Sequence, residues 1–198
     1  MLRRLRRNRL STAIRGLVEE TSLQTNDLIQ PLFIKASGPP EEINSMPGIQ
    51  RWPIEQLPSV TGTLVETGIL AIALFPCVDS SKKDAAGTHG LSSDNPLFQA
   101  VRAIKAAHPQ LLIITDVALD PYTNHGHDGV LDPATGDVAN DETVEILTRL
   151  ALLEAEAGAD WVAPSDMMDG RVRAIRERLD AAGFKHTAIL AYSAKFAS

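Results

Sequence analysis

A lysine follows the last apolar segment of the chain, at a position where it could act as a nucleophile. Residues 188–192 show no alternation of polar side chains, and Lys195 comes three positions after Tyr192. Such a segment is typical of a strand covered on both faces, and α/β barrels place their chemistry at the carboxyl ends of their strands. An amine in a site of low dielectric constant has a lowered pKa, and the neutral amine can attack a carbonyl to form a Schiff base. We therefore predict Lys195 to be a catalytic nucleophile; the alternative is a solvated surface lysine, the commonest setting of this residue.

A loop rich in acids and histidines follows another apolar segment, residues 111–117. Carboxylates near the lysine could move protons during imine formation, which needs deprotonation of the amine and loss of water. The loop also offers nitrogen and oxygen ligands for a divalent cation. Its glycines and Pro121 are equally typical of a turn in which histidines bind the backbone. The side chains in question are Asp116, near the end of the apolar segment, and Asp120, His125, His127 and Asp128 in the loop.

A hydroxyl and a carboxylate follow a third apolar segment, residues 161–163. If the strands are parallel, Ser165 and Asp166 lie at the same edge of the sheet as Lys195 and could join its site. The alternative is structural, because Ser and Asp also cap helices and a helical pattern begins near Asp169. The sequence leaves both interpretations open.

The elements that must position these side chains alternate between strand and helix. This alternation predicts βα units around a parallel sheet or barrel. Asn140 or Asp141 could cap the third helix and Gly158 could end it. The predicted strands are 28–34, 69–75, 111–117, 161–163 and 188–193, and the predicted helices are 54–67, 96–107, 141–157 and 170–182.

The number of predicted strands is too small for a closed barrel. A (β/α)8 TIM barrel has eight strands and typically about 250 residues, whereas this chain has 198 residues. We expect a single domain that forms a partial barrel, with an amino-terminal arm over 1–26 and five βα units without the final helices over 27–198. We further expect the chain to be the front portion of a longer protein; the alternative is a smaller open sheet.

Composition excludes several classes of protein. The chain is 44% hydrophobic and 22% charged, which is typical of a soluble globular protein. The apolar run 69–75 is far shorter than the roughly 20 residues of a membrane helix. Cys77 is the single cysteine, so neither an internal disulfide nor a multi-cysteine zinc site can form. We expect a cytoplasmic protein with no membrane partner.

Five arginines lie within the first nine residues of a chain whose net charge is −6. Such a cluster could bind nucleic acid or form part of a targeting leader. The run is short, has no interleaved aromatic residues for base stacking, and precedes an acidic body. We therefore predict a solvated arm that docks on a neighbouring subunit, and no nucleic-acid partner. The arginines are Arg3, Arg4, Arg6, Arg7 and Arg9.

Three long motifs together resemble the porphobilinogen synthase family, also called 5-aminolevulinate dehydratase. They are residues 116–129, residues 162–172 (VAPSDMMDGRV) and residues 192–198 (YSAKFAS), and the similarity extends over essentially the whole chain. Further matching stretches lie at residues 3–6, 27–33, 45–48 and 83–87.

This resemblance implies a (β/α)8 barrel with an extended arm, assembled into a homo-octamer. It implies that two molecules of 5-aminolevulinate condense to porphobilinogen with loss of two waters, in tetrapyrrole biosynthesis. Lys195 matches the first of the two Schiff-base lysines of the family, in the motif YSAK. Asp116 and Ser165 match substrate-pocket positions, and Tyr192 has a supporting role in the pocket.

The resemblance places the other functional groups of the family beyond Ser198. These are the second Schiff-base lysine and the residues that bind the substrate carboxylates. We therefore expect residues 1–198 alone to lack turnover, and a measured condensation activity from them would contradict this.

The metal ligands depart from the best-known pattern of this family. Zinc-dependent members have three cysteines where this chain has Ala118, Asp120 and Asp128, and these side chains cannot form a thiolate site. The resemblance is to an aspartate-rich branch, so we expect no catalytic zinc, and Mg²⁺ or K⁺ bound through residues beyond Ser198. Asp120 and Asp128 are then pocket acids that bind the substrate amine.

Two alternatives come from other classes of protein. A class I aldolase or another Schiff-base lyase on the same barrel would share Lys195, and substrate trapping separates it from the first interpretation. A noncatalytic fragment derived from the barrel is the second alternative, and the stability of the isolated protein bears on it, since exposed strand faces favour aggregation.

Overall fold

The computed structural model describes residues 3–194, and Lys195 lies outside this range. Within the described residues the sheet has seven strands in the order β2-β3-β1-β4-β5-β6-β7. Every neighbouring pair is parallel except β2 and β3. The strands are β1 Ile29–Lys35, β2 Glu41–Glu42, β3 Gln50–Pro53, β4 Ala71–Pro76, β5 Leu112–Val117, β6 Trp161–Pro164 and β7 Ala188–Ile189.

Helices connect the parallel strands one after another, as in a (β/α)8 barrel. The described helices are α1 Thr12–Leu17, α2 Leu57–Glu66, α3 Pro96–Ala107, α4 Asn140–Ala157 and α5 Arg171–Ala181, with short 3-10 turns at Leu5–Arg9, Thr25–Asp27, Ile54–Gln56, Ser80–Lys82 and Thr88–Leu91. Because β1, β4, β5, β6 and β7 are neighbours in the sheet and run parallel, their carboxyl ends meet at one edge.

The two faces of the sheet differ in burial. In β1, Leu32 and Ile34 are buried in the main core, whereas the alternate residues Phe33 and Lys35 are half-buried. Phe33 is in register with Phe75 of β4, and their ring centroids are 5.7 Å apart. Since side chains alternate along a strand, one face packs against α2 to α5 and the other carries the two phenylalanines.

The five predicted strands are all present, with two corrections. The hairpin formed by β2 and β3 was missed, because its strands are short and carry charged and polar side chains with no apolar run. The last strand, predicted over 188–193, is regular only at Ala188–Ile189. Beyond it the pairing continues irregularly, since the Leu190 N–H donates to Val162 O at 3.0 Å.

One predicted helix cap is wrong and one helix end is confirmed. Helix α4 begins at Asn140, and its N-cap residue, Ala139, supplies no capping side chain. The Asn140 side chain instead accepts a hydrogen bond from the Asp169 N–H at 2.8 Å, so it joins α4 to the loop after β6. Gly158 ends α4 with φ of 111°, a left-handed conformation that favours glycine.

The amino-terminal segment carries exposed apolar side chains. Leu5, Leu10 and Leu17 are 80%, 75% and 87% exposed, and none of residues 5–17 is buried. No helix within residues 3–194 is both long and apolar enough to cross a membrane. The division into an arm over 1–26 and a partial barrel over 27–198 stays a prediction.

Candidate active site

Asp116 on β5 and Ser165, which directly follows β6, lie at the carboxyl edge of the sheet. Asp116 is the fifth residue of β5 and is in register with Ala163 of β6, two residues before Ser165. Asp116 is half-buried and Ser165 is buried. The register pairs Asp116 with Ala163, and Ser165 follows one residue after the end of β6, so the carboxylate and the hydroxyl are brought to the same edge of the sheet.

The loop after β5 brings two further acids to this edge. Asp120 and Asp128 are both half-buried. Between them Tyr122 is fully buried, and its hydroxyl accepts a hydrogen bond from Asn95 Nδ2 at 3.0 Å. Burial raises the pKa of Tyr122, the hydrogen bond with Asn95 lowers it in part, and the charges of nearby acids, including Asp116 and Asp120, raise it. Tyr122 is therefore a neutral anchor of this loop.

The ring of His125 binds the backbone on both of its nitrogens. His125 Nε2 lies 3.1 Å from Ala85 O, and His125 Nδ1 accepts a hydrogen bond from the His127 N–H at 3.2 Å. Within residues 3–194, no group of three or more His, Cys, Asp or Glu side chains is arranged to hold a metal ion. The described residues therefore do not fit a metal centre in this loop, and the turn interpretation agrees with these contacts.

The buried Asp166 and the half-buried Arg171 form an ion pair, and the sequence pattern did not predict this partner. The Asp166 carboxylate accepts a hydrogen bond from the Met168 N–H at 2.7 Å and lies 3.2 Å from Arg171 Nε. Burial raises the pKa of Asp166, the Met168 N–H and the Arg171 charge lower it, and the nearby carboxylate of Asp128 raises it. The interpretation of Ser165 or Asp166 as the helix cap is wrong, since Gly170 is the N-cap residue of α5.

Arg171 also reaches the segment that leads to Lys195. Its Nη1 donates to Met168 O at 3.0 Å, and its Nη2 donates to Tyr192 O at 3.5 Å. The Tyr192 N–H donates to Pro164 O at 3.1 Å, which extends the ladder between the two last strands. Tyr192 therefore lies beside the end of β6, at the same edge as Ser165, while the predicted nucleophile lies outside the described residues.

A cavity of about 640 Å³ opens at the carboxyl ends of β1 and β4. In its lining, the carboxylate of Glu41 on β2 forms two ion pairs: Oε2 lies 3.4 Å from Lys35 Nζ, and Oε1 lies 2.6 Å from Arg51 Nη1. Burial raises the pKa of the Cys77 thiol, and the Arg51 guanidinium beside it offsets part of that rise. The cavity borders neither Asp116 nor Ser165. Its position is not evident from local sequence, because the β2–β3 hairpin that forms one wall has no apolar run.

Gly129 fixes the loop that carries Asp128, and its replacement by alanine should destabilise the protein. A Cβ atom at Gly129 would lie 2.5 Å from Val138 Cγ1 and 2.6 Å from Thr143 Oγ1. We expect Gly129→Ala to lower the free energy of unfolding by about 1–3 kcal/mol, as overpacking typically does. Urea unfolding measures this.

The control for that experiment is Gly16→Ala, because no atom lies within 4 Å of a Cβ added there. If Gly129→Ala unfolds at the same urea concentration as Gly16→Ala, the loop does not depend on this close approach.

The strand order and the polar residues at the carboxyl edge define a barrel-type α/β protein with a site built from several strand ends. The chain matches the model of the Delta-aminolevulinic acid dehydratase family over residues 2–198, and it belongs to that family. The predicted family is thereby confirmed.

Relatives named Delta-aminolevulinic acid dehydratase are similar along nearly all of the chain. The one from Chlamydia pneumoniae is 48% identical over 197 residues, which cover 99% of this chain and 59% of the relative. The one from Bradyrhizobium diazoefficiens is 50% identical over 196 residues, which cover 98% of this chain and 55% of the relative. The chain thus spans somewhat more than half the length of these relatives.

A crystal structure of delta-aminolevulinic acid dehydratase (porphobilinogen synthase) from Toxoplasma gondii, in complex with the reaction product porphobilinogen, superposes closely. The TM-score is 0.97 at 46% sequence identity, and the match covers 100% of this chain and 56% of the other. The predicted fold class, a partial TIM barrel, is confirmed. The roles of the individual site residues stay predictions.

Proposed function

We propose that the protein containing this chain condenses two molecules of 5-aminolevulinate to porphobilinogen with loss of two waters, in tetrapyrrole biosynthesis. The observation that carries this proposal is the match of the entire chain to the Toxoplasma gondii enzyme bound to porphobilinogen. Acid, hydroxyl and tyrosine side chains at one edge of the parallel sheet support it.

The proposed chemistry begins with Schiff-base formation at Lys195. The neutral Nζ attacks the ketone carbon of 5-aminolevulinate, a C–N bond forms, and the carbinolamine oxygen takes up a proton and leaves as water. The nitrogen keeps one proton, so the product is an iminium ion. Holding the substrate in this way replaces an encounter in solution by an intramolecular step.

The acids at the edge of the sheet have two proposed roles. Asp116 and Ser165 supply and accept the protons of imine formation, and the positions of Asp116 on β5 and of Ser165 directly after β6 support this. Asp120 and Asp128 bind the substrate ammonium group, since carboxylates at a partly buried site attract a cation. Tyr192 forms part of the pocket wall.

Borohydride trapping tests the function and the nucleophile together. The protein, expressed from its complete reading frame, is incubated with 5-aminolevulinate, reduced, digested and mapped by mass spectrometry. We expect an adduct on Lys195. A sugar phosphate that labels Lys195 in place of 5-aminolevulinate would indicate an aldolase, and folded protein that binds 5-aminolevulinate without labelling Lys195 would remove the assigned role.

We also propose that catalysis needs no zinc and that Mg²⁺ or K⁺ acts through residues beyond Ser198. The side chains at Ala118, Asp120 and Asp128 support this proposal. The alanine side chain cannot bind a metal, and the two carboxylates suit hard cations such as Mg²⁺ rather than the thiolate-bound zinc of other family members.

Chelation checks the metal proposal. We expect a zinc-selective chelator to leave kcat within about twofold, since no thiolate ligand set exists to hold zinc. Removal of all divalent cations followed by addition of Mg²⁺ serves as the matched control. Activity that is lost on chelation and restored by Zn²⁺ alone would contradict the proposal.

Assembly into a homo-octamer and a cytoplasmic location are further proposals. The exposed leucines of residues 5–17 support assembly, because apolar side chains on an arm gain stability when a neighbouring subunit covers them. Sedimentation of the protein expressed from its complete reading frame gives its mass, and a monomer would contradict the octamer.

A single cysteine agrees with a reducing compartment, and cell fractionation tests the location.

A further inference from the structure

Glu154 is a fully buried acid in the layer between α4 and the sheet. It is 0% exposed and is surrounded by the apolar core, in which Leu150 and Ala151 of the same helix take part. Its neighbour Glu156, two residues along the same helix, is exposed. A carboxyl group in such a place is costly as an ion unless a cation or several donors compensate it. No cation within residues 3–194 forms an ion pair with Glu154.

The hydrogen bonds around Thr115 indicate which form the carboxyl group takes. Thr115 Oγ1 lies 2.7 Å from Glu154 Oε2 and 3.4 Å from the Trp161 carbonyl oxygen. A threonine hydroxyl has a single proton, so it cannot donate to both oxygens at once. If Glu154 is the neutral acid, its own O–H donates to Thr115, and the Thr115 hydroxyl is then free to donate to Trp161.

We propose that Glu154 is held as the neutral acid and is a positioning residue for Asp116. Its proton completes a chain of hydrogen bonds from α4 through Thr115 on β5 to Trp161 on β6. Asp116 directly follows Thr115, so these hydrogen bonds fix the spacing between β5, which carries Asp116, and β6, which leads to Ser165. The part of this inference that concerns catalysis rests on the proposed function.

The charges around Glu154 favour the same form. Burial raises the pKa of Glu154 well above its usual range, and the carboxylate of Asp116 raises it further. A hydrogen bond that Thr115 would donate to the ionised form offsets only part of this rise. Tyr122 also interacts electrostatically with Glu154, and His89 lies in the 3-10 turn that contacts α4. Strand β6 has no titratable residue, and the buried side chains of α3 and α5 are all apolar.

The raised pKa has a definite consequence for pH dependence. The unfolded chain loses the Glu154 proton near pH 4.3, whereas the native protein keeps it to higher pH. Because the native state then binds more protons, stability falls as pH rises from about 4.3 through the native pKa. At alkaline pH the ionised Glu154 no longer donates to Thr115 and repels Asp116.

The experiment uses the protein expressed from its complete reading frame and compares Glu154→Gln with Glu156→Gln. Glutamine can donate to Thr115 but cannot ionise, so we expect the alkaline loss of stability in urea to disappear and the alkaline limb of kcat to move to higher pH. An infrared C=O band of a protonated carboxyl should be present at neutral pH and absent from Glu154→Gln. Glu156→Gln should change none of the three measurements.

Removing the hydrogen-bond chain tests the positioning role. We expect Thr115→Val to lower kcat about tenfold with little change in KM, as loss of one positioning hydrogen bond would. A stability profile and an infrared band that are the same in Glu154→Gln and Glu156→Gln would overturn the inference. Neither measurement depends on activity, so failure of the proposed function would leave them interpretable.

Discussion

Replacing Lys195 with methionine should lower kcat for the proposed condensation to porphobilinogen by at least about 10,000-fold. Methionine keeps the length of the side chain but has no amine to form the imine. Tethering of reactants with good geometry is worth roughly 7–11 kcal/mol, and about 1.4 kcal/mol corresponds to a factor of ten in rate. Steady-state assay of the purified variant, expressed from the complete reading frame, measures the loss.

The matched control is Lys185→Met, because Lys185 is an exposed lysine in the turn before β7. We expect it to keep kcat within about twofold, since surface substitutions change little. A Lys195→Met enzyme that retained a tenth of the normal kcat would show that the imine forms elsewhere.

Replacing Asp116 with asparagine should lower kcat by about 100- to 10,000-fold, the usual contribution of a positioned proton-transfer group. Asparagine has nearly the same shape and keeps an acceptor oxygen, but it cannot take up a proton. Asp116 follows Thr115 at the end of β5 and lies in register with Ala163. The position of the strand should therefore be kept, and the variant separates proton transfer from packing. Values of kcat and KM across pH measure the effect.

Asp137→Asn is the control for this second experiment, because Asp137 is an exposed acid in the connection between β5 and α4. A large rise in KM with unchanged kcat in Asp116→Asn would assign Asp116 to substrate binding alone. An equal effect of both substitutions would indicate a general loss of acidic charge rather than a specific role.

The core strands could be predicted because their signal is local. Residues 69–75 are a continuous apolar run and 111–114 are another, and a strand buried by helices on one face and by the barrel interior on the other favours such a run. The hairpin of β2 and β3 has no such signal, since Glu41–Glu42 is exposed. Its pairing depends on contact with β1, which local sequence does not show.

The candidate site was only partly predictable. Parallel strands bring their carboxyl ends together, so Asp116 and Ser165 could be placed at one edge from their positions in the sequence. Arg171 could not be placed, because its contact with Tyr192 joins residues 21 positions apart through the fold. The histidines of the loop offered a metal site in the sequence, and the backbone acceptor at Ala85 accounts for His125 instead.

The sequence by itself determined the family, the order of strands and helices, and the side chains available for chemistry, because motifs and apolar periodicity are properties of neighbouring residues. Only the tertiary structure decided which groups share an environment. Glu154 appears in the sequence as one more acid on a helix, yet its contact with Thr115, 39 residues away, buries it beside Asp116. Burial and hydrogen bonding between distant residues set the charge of such a group, and both are properties of the folded chain.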